Sequence, residues 1–288
     1  MTLEVLLQGI ISGLLMGFVY ALIAAGLSLI FGLMEIVNFA HGEFLMLAMF
    51  GTFWAWAVFK LDPLVSLPLT VALLFGLGVA TYYGLIRWIL GAPMLAQIFA
   101  TFGLAIFLRS AAQALWGVDF HVVKDPLVQG RVALGGFYIG LPQLVASAGA
   151  LIAFAALNWF ISRTEAGLAL QATAQDRQAA SLMGIHTERM FALGWGIGAA
   201  CVGVAGALLT IFFYVFPDVG STFALIAYVT VALGGFGNVP GTLAAGVIVG
   251  LVEVLGGLLV APALKYVAVF AIYLVVVLWR PQGLFGRF

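Results

Sequence analysis

The chain has 288 residues, 65% hydrophobic and 8% charged, and its 11 Lys and Arg balance its 11 Asp and Glu to a formal net charge of +0. With a mean hydropathy of +1.21, it has too little polar surface to cover a water-soluble domain of 30.4 kDa, and it reads as an integral membrane protein. The neutral balance removes the basic stripe that nucleic acid requires, and the unbroken apolar runs argue against a barrel, whose strands alternate over about 10 residues.

A helix needs about 20 apolar residues to cross the hydrocarbon core. By that length, spans are predicted near residues 9–32, 43–59, 64–86, 94–116, 141–161, 190–213, 222–237, 240–260 and 263–279. The segments 222–237 and 263–279 are short enough to be partial or tilted. The expectation is therefore an all-α, polytopic integral membrane helical bundle of eight or nine transmembrane helices, a single domain over residues 1–288.

At the N-terminus, Met1-Thr2-Leu3-Glu4 carries no Lys or Arg ahead of the first apolar run, so the basic n-region of a secretory signal is missing and no cleavage is expected. Between the first two spans lies Asn38-Phe39-Ala40-His41-Gly42-Glu43. An amide, an imidazole and a carboxylate are costly at membrane depth without partners or water. Asn38 and Gly42 suit a helix break, which would line a pathway or a subunit contact. The plainer reading is a turn with His41 and Glu43 wetted, and Glu35 just before it suits the membrane interface. His41 and Glu43, two residues apart with no further His nearby, make a poor metal site.

Arg109 lies within the fourth predicted span and Glu253 within the eighth. Ionisable residues there are functional by default, unless they snorkel or pair with each other. The hydrophilic connections 118–140 and 162–189 fall on opposite sides, since one span separates them. Arg87, Arg163, Arg177, Arg189, Arg280 and Arg287 share the side of the second connection, against Lys60, Lys124, Arg131 and Lys265 on the other. The positive-inside rule then places 162–189 and the C-terminus in the cytoplasm and the loop of about 117–140 outside, with the N-terminus outside if the crossings are odd in number.

The middle of the second loop, Gly167 to Ile185, is Ala-rich and reads as one or two short helices. The second would start with Asp176 as N-cap and stop at Gly184. Leu182, Met183 and Ile185 form an apolar tip suited to a groove on another protein. A helix lying on the membrane surface, the alternative, would carry more Lys and Arg. Cys201, the single cysteine, sits in an apolar run and supports neither a disulfide nor a cysteine metal site. His121 and His186 lie in loops, and Ser12 and Ser28 have no His at workable spacing, so no nucleophile with its base is found.

A second break follows at Leu233 to Gly241, where Gly234, Gly235, Gly237, Asn238, Pro240 and Gly241 interrupt two apolar runs. No Lys follows Gly241, so a phosphate loop does not fit. Gly237, Gly241 and Ala245 permit close helix contact in a tight packing turn. One break in each half is the pointer to a pathway built by pseudo-repeats, although the two segments share no sequence.

Together and in this order, Asn38 to Glu43, the Gly167 to Ile185 loop, the Leu233 to Gly241 glycines and Arg280-Pro281-Gln282-Gly283-Leu284-Phe285-Gly286 resemble the LivH-type permease of branched-chain amino acid ABC transporters. The resemblance covers essentially the whole chain. It implies a subunit of an importer in the bacterial inner membrane, working with a homologous LivM-type permease, two ATPase subunits and an extracytoplasmic solute-binding protein. It also implies that Gly167, Asp176, Arg177, Ala180, Gly184 and Ile185 belong to the segment that seats on an ATPase. The chain has no Walker sequence, so ATP and magnesium would be used by the partner subunits, with no cofactor and no catalytic residue here. The expected pathway or helix-break residues are Asn38, His41, Gly42, Glu43, Gly234, Gly235, Gly237, Asn238, Gly241 and Glu253. The family also includes permeases for other amino acids, urea and amides. A proton-coupled secondary transporter using His41 and Glu43 is the rival reading, and an intramembrane enzyme lacks the nucleophile or metal set it would need.

Overall fold

In hydrocarbon, backbone polar groups find partners only within helices or closed sheets, and the long apolar runs of this chain fold accordingly as helices. A computed structural model describes residues 3–134 and 137–286. Met1, Thr2 and the Arg287 counted in the charge balance lie outside the described residues. In chain order the elements are α1 (Leu3–Met34), α2 (His41–Phe59), α3 (Pro63–Ile89, with a π-helical turn at Tyr82–Ile86) and α4 (Met94–Trp116). A hairpin of β1 (Arg131–Leu134) and β2 (Phe137–Gly140) leads into α5 (Leu141–Arg163) and the short α6 (Glu165–Gln175) and α7 (Arg177–Leu182). The chain then continues through α8 (Thr187–Leu209), α9 (Val219–Gly234), α10 (Val239–Leu259) and α11 (Lys265–Trp279). Among the described residues, eight helical segments are long and apolar enough to cross a membrane, and α9 is a shorter apolar helix. The chain is a multi-pass helical membrane protein, and the nine spans read from the sequence are all present as helices.

The hairpin was not legible in the sequence. It pairs antiparallel in the register Arg131 with Gly140, and the Arg131 guanidinium carbon lies 4.5 Å from the Tyr138 ring centre. Asp62 ties the same loop to the bundle: Oδ1 accepts from Leu64 N (2.9 Å), capping α3, and Oδ2 accepts from Leu127 N (2.7 Å). Arg87, Arg163, Arg177, Arg189 and Arg280 lie at the end of the bundle that carries α6 and α7, and Lys60, Lys124, Arg131 and Lys265 at the opposite end. The grouping expected from the sequence is thus reproduced, apart from Arg287.

α1 and α8 cross antiparallel, with Gly26 against Gly198 and Leu33 beside Gly194. α1 lies along α10 and α3 lies along α8, while α2 packs on α8 as α9 packs on α1. Such reciprocal contacts are the pattern of an inverted repeat, α1–α2–α3 matching α8–α9–α10. Glycine makes the closest approaches possible. Gly13 and Gly17 of α1 meet Gly250 and Gly246 of α10 backbone to backbone, where any Cβ would overlap. Across α2 and α3, the Thr52 and Thr70 hydroxyls bond at 3.1 Å. α4 and α11 flank this core and keep large apolar side chains exposed, among them Phe99, Phe107, Leu274 and Leu278.

Candidate functional site

α1 ends at Met34, but α2 does not start there. His41 Nε2 lies 2.9 Å from the carbonyl oxygen of Ile23, 11 residues back along α1, which is about 16 Å at 1.5 Å per residue. Residues 35–40 therefore re-enter the bundle and deliver the first turn of α2 to its interior. Non-helical backbone at such depth needs its carbonyls satisfied. The Thr101 hydroxyl donates to Val37 O (3.1 Å), the Tyr228 hydroxyl to Asn38 O (2.6 Å), and the Asn38 side-chain oxygen accepts from Ala40 N (3.1 Å). Phe39 packs against the rings of Phe102 and Tyr228, 6.4 and 5.4 Å away between centres. His41 and Glu43 are both buried, as is Asn38, so the turn with a wetted His41 and Glu43 does not hold.

A second re-entry comes from the other end. After α8 the chain turns at residues 210–218, where Val215 bridges His121 of the long loop by two backbone bonds of 2.8 and 2.9 Å. α9 then starts beside α2. Gly42 and Gly220 touch backbone to backbone, and a Cβ on either would overlap the other's carbonyl oxygen. Two helix N-termini from the two halves thus meet inside the protein.

At that meeting point stand three charges. Glu43, with a side chain 2% exposed, accepts on Oε1 from Arg109 of α4, through Nε at 3.2 Å and through a close Nη2. Arg109 Nη1 lies 3.7 Å from Asp218 Oδ1 at the start of α9, with those side chains 32% and 61% exposed. Glu43 Oε2 and His41 Nδ1 have no hydrogen-bond partner among the described residues. The Glu43 carboxylate is therefore held at two helix N-termini, whose partial positive charge favours it, and by one guanidinium. His41 is bonded to a backbone carbonyl and not to Glu43, so these two do not form a relay.

The sequence paired the island provisionally with Gly234 to Gly241. The structure corrects this: the counterpart of Gly42 is Gly220, 14 residues or about 21 Å of helix from Gly234. The 234–241 stretch is indeed a helix break, but it closes the far end of α9. There Gly235 (φ +90°) abuts Gly286, Gly237 abuts Gly32, and Gly241 abuts Gly234. Asn238 caps α10 by accepting from Gly241 N (3.1 Å) and donates to Phe285 O (2.7 Å). Glu253 lies elsewhere, bonded to Lys265 Nζ (2.8 Å) and the Tyr20 hydroxyl (2.5 Å) at the rim of a cleft of about 470 Å³. Glu253 and Arg109 are not paired with each other.

In the 162–189 loop the helices form as the residues suggest. Thr164 caps α6 by accepting from Gly167 N (3.0 Å), where a Cβ would overlap the backbone of Phe160 and Ile161. Asp176 Oδ1 caps α7 through Gln178 N (2.8 Å) and Ala179 N (3.0 Å). Gly184 (φ +85°) ends it, with Ile185 N bonded to Ala180 O (3.1 Å). Ala180 is buried, and the exposed Arg177 lies over the Phe191 ring, 5.2 Å from its centre. Leu182 and Met183 project, 88% and 83% exposed. No group of three metal-ligating side chains occurs among the described residues.

Sequence reasoning missed Asp218, Gly220, Thr101 and Tyr228 as parts of this site, and had Arg109 without its partner. The one available signal was Pro217-Asp218, a chain breaker after an aromatic run.

Residues 9–278 match the family described as branched-chain amino acid transport system / permease component. The chain is 32% identical to the high-affinity branched-chain amino acid transport system permease protein LivH of Escherichia coli strain K12, over 98% of this chain and 96% of that protein. It is 30% identical to the corresponding permease protein BraD of Pseudomonas aeruginosa over the same shares. A probable LivH of Methanocaldococcus jannaschii is 26% identical over 81% of this chain and 75% of its own length. No solved structure matches the chain.

Proposed function

The chain belongs to the branched-chain amino acid transport system / permease component family, and on that premise we propose that it is the membrane-spanning subunit of an ABC importer for branched-chain amino acids. The observation that carries the reading is extent, since the family match runs from α1 into α11 and takes in both re-entrant helices. The importer sits in the bacterial inner membrane, with the C-terminus and the α6–α7 loop in the cytoplasm and the 117–140 loop outside. A LivM-type second permease, two ATPase subunits that use ATP and magnesium, and an extracytoplasmic binding protein complete it. α7 and its tip at Leu182 and Met183 seat on an ATPase, so that nucleotide-driven motion there switches the solute pathway between its two openings. This chain binds no nucleotide and makes no covalent bond to solute.

A proton-coupled carrier built on a His41–Glu43 relay is disfavoured by the geometry, because His41 bonds the Ile23 carbonyl and Glu43 bonds Arg109, with no bond between the two. The separating experiment is uptake of radiolabelled leucine into proteoliposomes. Uptake is expected only when both permeases, the ATPase subunits, the binding protein and ATP are present. Uptake by this chain alone, driven by a pH gradient, would establish the carrier instead.

A further inference from the structure

Past α11 the chain does not leave the bundle. It turns at Arg280, whose carbonyl accepts from Gly283 N (2.9 Å), and runs back across the far end of α9. A helix leaves its last carbonyls unpaired. Here a remote segment supplies a donor, since Leu284 N bonds Leu233 O at 2.8 Å. One residue on, Phe285 O accepts from Asn238 Nδ2 (2.7 Å), so residues 280–286 straddle the α9–α10 break and hold both of its sides. Gly283 (φ +86°) fits against Ala232 O, and Gly235 against the Gly286 backbone, where a Cβ would overlap. The end of α1 joins the same junction through Gly32 and through Phe31, whose ring lies 4.6 Å from that of Phe236 between centres.

This closure is built to open. Two hydrogen bonds hold it, and Gln282 and Phe285 are exposed, so water competes for both. Glycines at positive φ stand on each side of it, Gly235 and Gly237 in the break and Gly283 in the tail, and these are the residues that absorb a backbone rotation at least cost. Along their length α9 and α11 are not close-packed: a cleft of about 120 Å³ lies between them, lined by Leu225, Ile226, Val229, Val269 and Phe270 among others. Val269 is the buried residue of α11, so its seat on the bundle depends heavily on the tail.

We propose that residues 280–286 form a latch. Closed, as here, it holds the far end of α9 against α11 and α1, and it lets go when the pathway switches to its other opening. α9 is a helix of 16 residues that starts at the Gly42–Gly220 contact, so releasing its far end frees it to tilt about that start. The latch rests on the transport reading above and names a contact that must break for it.

The test is amide hydrogen exchange, read by mass spectrometry on the complete wild-type transporter, without nucleotide and after trapping with ATP and vanadate. Exchange over residues 282–286 is expected to be about tenfold faster in the trapped state. Asn238→Asp supplies the second arm. Its carboxylate still accepts from Gly241 N and caps α10, but it has no donor for Phe285 O. Its subunits are expected to co-purify, with exchange over 282–286 without nucleotide and ATP hydrolysis without solute each rising about fivefold, the scale of one net hydrogen bond on the resting equilibrium. A tail that merely anchors α11 gives no rise in hydrolysis. Equal exchange in the two states of a transporter that has trapped ADP overturns the latch alone, as does wild-type hydrolysis in Asn238→Asp or loss of its assembly. Failure of the complete wild type to hydrolyse ATP and trap ADP overturns the transport reading and the latch with it.

Discussion

Glu43 and Arg109 depend on each other unequally. Glu43 is closed off from solvent and Arg109 is not, so removing the guanidinium leaves an uncompensated buried charge, whereas removing the carboxylate leaves a cation that still has Asp218 and an open side. Arg109→Gln is expected to destabilise the protein by about 3–5 kcal/mol, Glu43→Gln by clearly less, and the double variant should recover part of the first loss. Thermal midpoints of the three purified variants check this; equal losses for the two single changes would refute it. Gly42→Val is expected to cost about 1–3 kcal/mol or more, because its side chain must displace the Gly220 carbonyl, and the same measurement reads it. Of these residues the sequence showed Glu43 and Gly42 as anomalies in an apolar setting, since an unaffordable polar group is visible without any partner. Their partners were hidden, because Arg109 is 66 residues away and nothing in sequence spacing joins it to Glu43.

Helices were the most legible elements, as an apolar run of membrane length has few other ways to satisfy its backbone. The re-entry that leads into α9 was not legible, and the physical reason lies in Ile211-Phe212-Phe213-Tyr214-Val215-Phe216. This re-entrant stretch is as apolar as the span before it and so reads as its continuation, whereas the first re-entry was betrayed by Asn38 and His41. The hairpin at 131–140 escaped notice for a different reason, being too short for its period to show. The α6–α7 pair was read well because caps are local: Asp176 and Gly184 announce themselves by residue type. The docking role of α7 carries its own prediction. Leu182→Asp alters an exposed side chain that supports nothing in the fold, so the protein should keep its thermal midpoint and lose co-purifying ATPase subunits. Retained ATPase subunits would place the contact elsewhere.

Over the whole molecule, the two ends should answer to probes from opposite sides. Single cysteines at Leu182 and Leu127 are expected to react with a membrane-impermeant maleimide only from the cytoplasm and only from outside, respectively. Cys201 is buried and should stay silent. Reaction of both from one side would invert or break the topology. The inverted repeat was anticipated in kind and misplaced in position, since its halves share contacts but no sequence. One inequality within it has a kinetic meaning. The first re-entrant connection has six residues (35–40) and the second nine (210–218). Two identical halves would give a pair of mirror-related states of equal free energy, each occupied half the time at rest. Tethers of unequal length lift that degeneracy, and every difference of about 1.4 kcal/mol skews the resting ratio tenfold. On the transport reading proposed above, the idle protein then has a preferred side to wait on, and leaving it is the step that needs driving.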